Sequence, residues 1–244
     1  TVPSGMSDYS GWWNAINIVD VDLDGDMDII AGNRGTNHPL KASKEFPAHM
    51  YVCDFDRNGK IDPIITTFDK SGKEIPIASK DDMLDQIPAL KNRYVYYADY
   101  AKASIFDLFP DVNWDTITHF TATDFNSSIF INNGKGSFTR QLLPEQIQWF
   151  PVYAIAVKDI NRDNYPDLIM AGNQFGTRPE LTRLDAGYGA CLFGDGKGGF
   201  TFKNAAETGL FIDGEVRSMC LTKLNREKYL LVARRNASVM TYLL

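Results

Sequence analysis

One unit of sequence is written several times over in this chain, and that repetition limits the fold more than any other feature. Trp12 to Asn33 (WWNAINIVDVDLDGDMDIIAGN) aligns with Trp149 to Asn173 (WFPVYAIAVKDINRDNYPDLIMAGN). Each runs aromatic pair, apolar strand, acidic loop, apolar strand, Ala-Gly-Asn. Another copy, Met50 to Thr67 (MYVCDFDRNGKIDPIITT), keeps the strand-loop-strand order; a worn fourth, Met219 to Asn236 (MCLTKLNREKYLLVARRN), keeps both strands and loses the acids. A second repeated unit is a hairpin: Ile129 to Phe138 (IFINNGKGSF) matches Cys191 to Phe200 (CLFGDGKGGF) 62 residues further on. The loop at Asp159 and its worn counterpart at Lys223 are 64 residues apart, so two independent features share nearly one period. Short β-rich runs bounded by Gly, Asn and Asp at that spacing predict an all-β chain of radially repeated antiparallel sheets, a β-propeller or part of one. Each such sheet stays apolar on both faces until neighbours cover it.

One stretch breaks the pattern. From Ser79 to Phe109 strand chemistry gives way to helical spacing, with Ser79 and Asp82 placed as an N-cap and its N3 partner, and with Pro88 set to end or kink the first helix. The expectation is a single domain over 1–244 with a helical insertion near 79–109, which either packs on a sheet or offers a docking surface. Because the first residue is Thr1 and no charged or apolar leader follows, the chain reads as processed or as a piece of a longer one.

Composition narrows the classes. The 244 residues are 44% apolar and 12% aromatic, enough for a full core and against disorder. No apolar run reaches the roughly 18 residues of a membrane span. A formal charge of −6 disfavours nucleic acid, whose partners usually present a basic patch. Cys53, Cys191 and Cys220 sit among apolar neighbours and read as buried small hydrophobes, so no disulfide is required.

The acids are concentrated in three nine-residue loops, which hold eleven of the 31: five in Asp20–Asp28, three in Asp54–Asp62 and three in Asp159–Asp167. All fit one template. Oxygen side chains stand at positions 1, 3, 5 and 9, a residue tolerant of left-handed backbone at 6 (Gly25, Gly59, Asn164), and apolar residues at 2 and 8 (Val21 and Met27, Phe55 and Ile61, Ile160 and Pro166). Calcium takes about six to eight oxygen ligands, and a chain that reverses at position 6 brings alternate side chains round one ion. Position 7 offers only its carbonyl, which lets Asp26, Lys60 and Tyr165 differ. Zinc is disfavoured because no Cys or His lies in any loop. An EF-hand would need an acid at position 12, where Ala31, Ile65 and Met170 stand, and flanking helices in place of strands. Five Asp within nine residues repel one another strongly unless a cation sits among them.

These loops resemble the FG-GAP/VCBS repeats, in which Asp-x-Asp/Asn-x-Asp/Asn-Gly-x-x-Asp loops join the strands of propeller blades and bind calcium. INNGKGSF and FGDGKGGF look like the turn that follows in those blades. The order FPAHMYVCDFDRNGKIDPI, SKDDMLDQIPALK, GNQFGTRPELTRLDAGYG resembles the C-terminal part of long bacterial FG-GAP/VCBS proteins related to cartilage acidic protein, often carrying an ASPIC/UnbV domain. The resemblance implies about three calcium ions. Its ligands would be Asp20, Asp22, Asp24, Asp26 and Asp28; Asp54, Asp56, Asn58, Lys60 and Asp62; and Asp159, Asn161, Asp163, Tyr165 and Asp167. Asn164 departs from the family's Gly, which weakens the third loop, and the worn copy around Lys223 to Leu231 should hold no ion.

No catalytic signature stands out. His38, His49 and His119 are scattered in sequence, and there is no His-Glu-x-x-His helix or Gly-x-Ser-x-Gly elbow. Gly194, Gly196 and Gly199 spell Gly-x-Gly-x-x-Gly, but a strand follows and no helix opens, so a hairpin turn explains them. Arg178, Glu180, Arg183 and Asp185 gather charge beside Phe175 and Tyr188, as a ligand surface or an ion-paired loop. The expected protein is therefore a non-catalytic, calcium-stabilised module that recognises protein or glycan, secreted or at a cell surface or bacterial envelope. The alternative is an accessory or catalytic domain of a secreted calcium-dependent carbohydrate-active enzyme. Three bound calcium ions would offset the whole charge of −6.

Overall fold

A computed structural model describes residues 5–178 and 181–244, and its backbone contacts divide the chain into two compact units. One comprises the described residues to His38 together with Phe125–Thr177 and Arg183–Leu244; the other comprises Pro39–Asp124 and the described part of Arg178–Thr182. The chain is mostly β, in four antiparallel sheets.

The larger unit holds three of those sheets. β1 (Ala15–Val19), β2 (Asp28–Gly32), β7 (Ser128–Asn132) and β8 (Phe138–Leu142) pair in that order. β9 (Val152–Lys158), β10 (Asp167–Gly172), β11 (Ala190–Gly194) and β12 (Phe200–Lys203) repeat the arrangement strand for strand. The two repeated sequence units are thus halves of one sheet. Acidic loop and flanking strands supply the first two strands, and the Gly-rich hairpin supplies the last two. In the first sheet the halves are separated in sequence by Pro39–Asp124, the main part of the smaller unit. The third sheet has β13 (Val216–Leu224), β14 (Glu227–Arg234) and β15 (Met240–Leu243). Its worn loop has shrunk to a two-residue turn, Asn225-Arg226, with both residues at positive φ as a tight hairpin requires.

β10 is buried along its whole length. Leu168 and Met170 join a cluster with Ile30, Ile129 and Val152, while Ile169 and Ala171 join one with Val216, Leu230 and Val232. Alternate side chains therefore pack against the sheets on either side, and each fully buried Leu or Ile contributes on the order of 2 kcal/mol. This is the two-faced apolar sheet that the repeats predict. The Ala-Gly-Asn ending has a steric cause as well: a Cβ on Gly172 would lie 1.7 Å from the Pro151 carbonyl oxygen. Asn33 and Asn173 are buried, and the Asn173 side chain bonds the Gly187 N–H and carbonyl at 2.9 and 2.6 Å.

In the smaller unit β3 (Ala48–Cys53), β4 (Asp62–Phe68) and β5 (Glu74–Pro76) form a sheet to which β6 (Thr118–Ala122) adds on the free side of β3. The fourth strand joins the opposite edge from that in the repeated sheets, which is why no Gly-rich hairpin follows this copy. The expected helical insertion is present as α1 (Lys80–Gln86), a 3₁₀ turn (Pro88–Asn92), α2 (Tyr97–Ala101) and α3 (Ile105–Leu108). Ser79 caps α1 by accepting from the Asp82 N–H at 3.2 Å, and Pro88 opens the 3₁₀ turn. Met83, Ile87, Leu90, Ile105 and Leu108 pack on Tyr51 and Ile64 of the sheet, so the insertion serves as a core lid. The short α4 (Ala205–Thr208) follows β12 in the larger unit.

All three cysteines are free thiols. Cys191 is buried as expected, Cys53 is half-buried, and Cys220 is exposed, because it alternates with Met219 on the outward side of β13.

Candidate metal centres

Each acidic loop is built on the same internal hydrogen bonds. Position 1 accepts from the N–H of position 6: Asp20 from Gly25 at 3.0 Å, Asp54 from Gly59 at 2.8 Å, Asp159 from Asn164 at 3.1 Å. Position 5 accepts from position 7: Asp24 from Asp26 at 2.8 Å, Asn58 from Lys60 at 2.8 Å, Asp163 from Tyr165 at 2.9 Å. Position 9 accepts from position 2: Asp28 from Val21 at 2.8 Å, Asp62 from Phe55 at 3.0 Å, Asp167 from Ile160 at 2.7 Å. Gly25, Gly59 and Asn164 are left-handed, as the template expects. Leu23, Arg57 and Arg162 at position 4 are left-handed too, and side-chain type carries no signal for that. At position 8, Met27 and Ile61 are exposed, since the strand begins only at position 9.

The ninth Asp ties the loop to its surroundings. The second oxygen of Asp28 accepts from the Asn132 N–H at 2.8 Å, and that of Asp167 from the Gly194 N–H at 3.0 Å. Asn132 and Gly194 hold the same place in the two Gly-rich hairpins, so the same hydrogen bond joins loop to hairpin in both sheets although 104 residues separate its partners in one and 27 in the other. In the smaller unit the Gln86 side chain of α1 donates to the Pro63 carbonyl beside Asp62 at 3.3 Å. Burial pushes the carboxyls of Asp28, Asp62 and Asp167 up, the backbone donors pull them back, and neighbouring loop carboxylates push them up further.

In the first two loops the structure brings positions 1, 3 and 9 together. One oxygen each from Asp20, Asp22 and Asp28 lies within 4.8 Å of the others, and Asp54, Asp56 and Asp62 are gathered likewise. Either triad can hold a metal ion. The Oδ1 atoms of Asp20 and Asp22 are buried and have no hydrogen-bond partner. A buried charged oxygen left unpaired costs at least about 1–3 kcal/mol, and a cation between the two would remove that cost. An all-oxygen donor set suits a hard divalent ion such as calcium or magnesium. The carboxylates of Asp24 and Asp26 lie outside the first triad. The third loop gathers fewer charges: Asn161 turns its amide nitrogen to Asp163 at 2.7 Å, and Asp159 is engaged by the Asp163 and Asn164 N–H groups. The Tyr165 ring instead lies over Gly196, where a Cβ would meet it at 2.5 Å.

Two histidines that are far apart in sequence meet in the smaller unit. His49 on β3 and His119 on β6 have ring centroids 5.7 Å apart, and His49 Nδ1 lies 2.8 Å from buried Glu74. Thr66 and Tyr51 donate to the same carboxylate at 2.5 and 3.3 Å. Burial, then the Glu74 charge, pushes the Tyr51 hydroxyl far up, so it stays a donor. Glu74 is thus a hub satisfied by three side chains, invisible in sequence because its partners lie on two other strands, His49 and Tyr51 on β3 and Thr66 on β4. In the larger unit His38 is buried on the Gly35 carbonyl. Gly196 and Gly198 are left-handed turn residues between β11 and β12, which confirms the hairpin. Of the charged segment after β10, Arg183 pairs with Asp185 at 2.9 Å and covers the Phe175 ring at 3.8 Å; Glu180 lies outside the described residues.

No protein-family model matches the chain, and no curated protein sequence matches it.

Proposed function

We propose that this chain is a non-catalytic binding or scaffold module of the FG-GAP/VCBS type, stabilised by calcium and working outside the cytosol. The observation that carries the metal is the pair of buried, unpartnered oxygens on Asp20 and Asp22, set beside Asp28 in a loop whose hydrogen-bond frame recurs three times. Repetition of the four-stranded sheet, with its loop and hairpin joined through the ninth Asp, supports reading these sheets as blades of a propeller or partial propeller. In that reading calcium ties the strand-joining loops, and the ligand is a protein or carbohydrate. Extracellular calcium modules work near 10⁻⁴ to 10⁻³ M, far above cytosolic levels.

The test is thermal unfolding of chelator-treated protein in stepped calcium, with metal analysis after dialysis. Stabilisation should grow as the logarithm of free calcium above the dissociation constant, with at least two ions per chain. Equal melting temperatures with millimolar calcium and with chelator, and no retained ion, would sink the proposal.

A further inference from the structure

Beside the third acidic loop lies a cavity of about 560 Å³ whose walls carry four bases: Lys158 at the end of β9, Arg162 in the loop, Arg226 in the β13–β14 turn and Lys228 on β14. Two of them, Arg226 and Lys228, come from the worn fourth repeat, which has lost the loop acids of the other copies. Lys158 is also out of character, because Val19 and Cys53 hold its place before the other two loops. Two acids line the same cavity, and both are engaged elsewhere. Asp159 accepts from loop N–H groups, and Glu227 accepts from the Tyr229 hydroxyl at 2.5 Å. None of the four bases forms an ion pair with a carboxylate among the described residues.

If these bases served only to neutralise the acidic loop, they would form ion pairs with its carboxylates, and among the described residues they form none. Four unpaired cations round one cavity, two of them guanidinium forks, match the several oxygens of a doubly charged group. We infer that this cavity binds a polyvalent oxyanion, a phosphate or sulfate group, free or carried on a larger ligand. The site is independent of the calcium reading, since it uses side chains that ligate no metal there.

Titration calorimetry at constant ionic strength tests it, with sodium sulfate in calcium-containing buffer and sodium phosphate in calcium-free buffer. At least one anion should bind saturably at one site. Lys228→Gln and Lys158→Gln, on different strands and checked for folding by circular dichroism, should each weaken binding about tenfold. Exposed Lys135→Gln, on a distant hairpin, should leave it unchanged. Saturable binding of either anion supports the site, and sulfate repeated in the calcium-free buffer tells anion preference from a calcium effect. No saturable heat from either anion, or constants in both folded variants equal to those of the parent, overturns the inference.

Discussion

Asp22 has an effect on stability whose sign depends on solution conditions. In chelator its buried Oδ1 is unpartnered and lies near two other carboxylates. Asp22→Ala should therefore leave the metal-free protein as stable as the parent or raise it by about 1 kcal/mol, while removing one ion from the metal count. Parallel melts in chelator and in calcium check both halves. A metal-free variant several degrees less stable than the parent would contradict the unpaired-oxygen account. The ninth-position acids set the pH dependence. Asp28, Asp62 and Asp167 have folded pKa values raised above 3.8, so the folded chain holds their protons longer than the unfolded one. Their favourable contribution is complete below the unfolded value and is lost as pH rises through the folded values. The contribution of these three acids to the metal-free protein should accordingly fall as pH rises through that window, and calcium should restore more at pH 7 than at pH 4. Denaturant melts at the two pH values, with and without calcium, measure the difference.

At the scale of the elements, two glycines separate steric from conformational causes. Gly172→Ala forces a Cβ against the Pro151 carbonyl and should cost about 3 kcal/mol or more, whereas Gly59→Ala meets open space and carries only the strain of its φ of +85°, about 1 kcal/mol. Equal losses in urea melts would show that close backbone approach is not what fixes the Ala-Gly-Asn ending. Ile169→Ala, in the strand buried on both faces, should cost about 2–5 kcal/mol. Much of this was legible in sequence, because period-two apolar runs and nine-residue acidic loops are local signals: the strands either side of each loop, the Gly-rich turns, the Ser79 cap and the Pro88 break. What was not legible depends on pairing between distant segments. No residue announces that β6 joins the far edge of β3, that Asn132 donates to Asp28 across 104 residues, or that Glu74 collects His49, Tyr51 and Thr66. The loop frame was legible at position 6, where Gly stands, and silent at position 4, where Leu23, Arg57 and Arg162 adopt the same left-handed backbone.

For the whole molecule, the charge of −6 belongs largely to the loops. Three divalent ions would cancel it, so the calcium-loaded chain should elute earlier from an anion exchanger than the chelator-treated chain, and unchanged retention would argue against occupied loops. The insertion of the smaller unit between β2 and β7 carries a different consequence, one of timing. About 95 residues separate these neighbouring strands, and a ribosome adding about 5–20 residues per second delivers β7 roughly 5 to 20 s after β2. Through that interval the nascent chain carries a bare hairpin with Ile30 uncovered and Asp28 lacking the Asn132 donor. Until β7 is made, that hairpin exposes an apolar strand face and an unpaired strand edge, the kind of folding intermediate that chaperones shield.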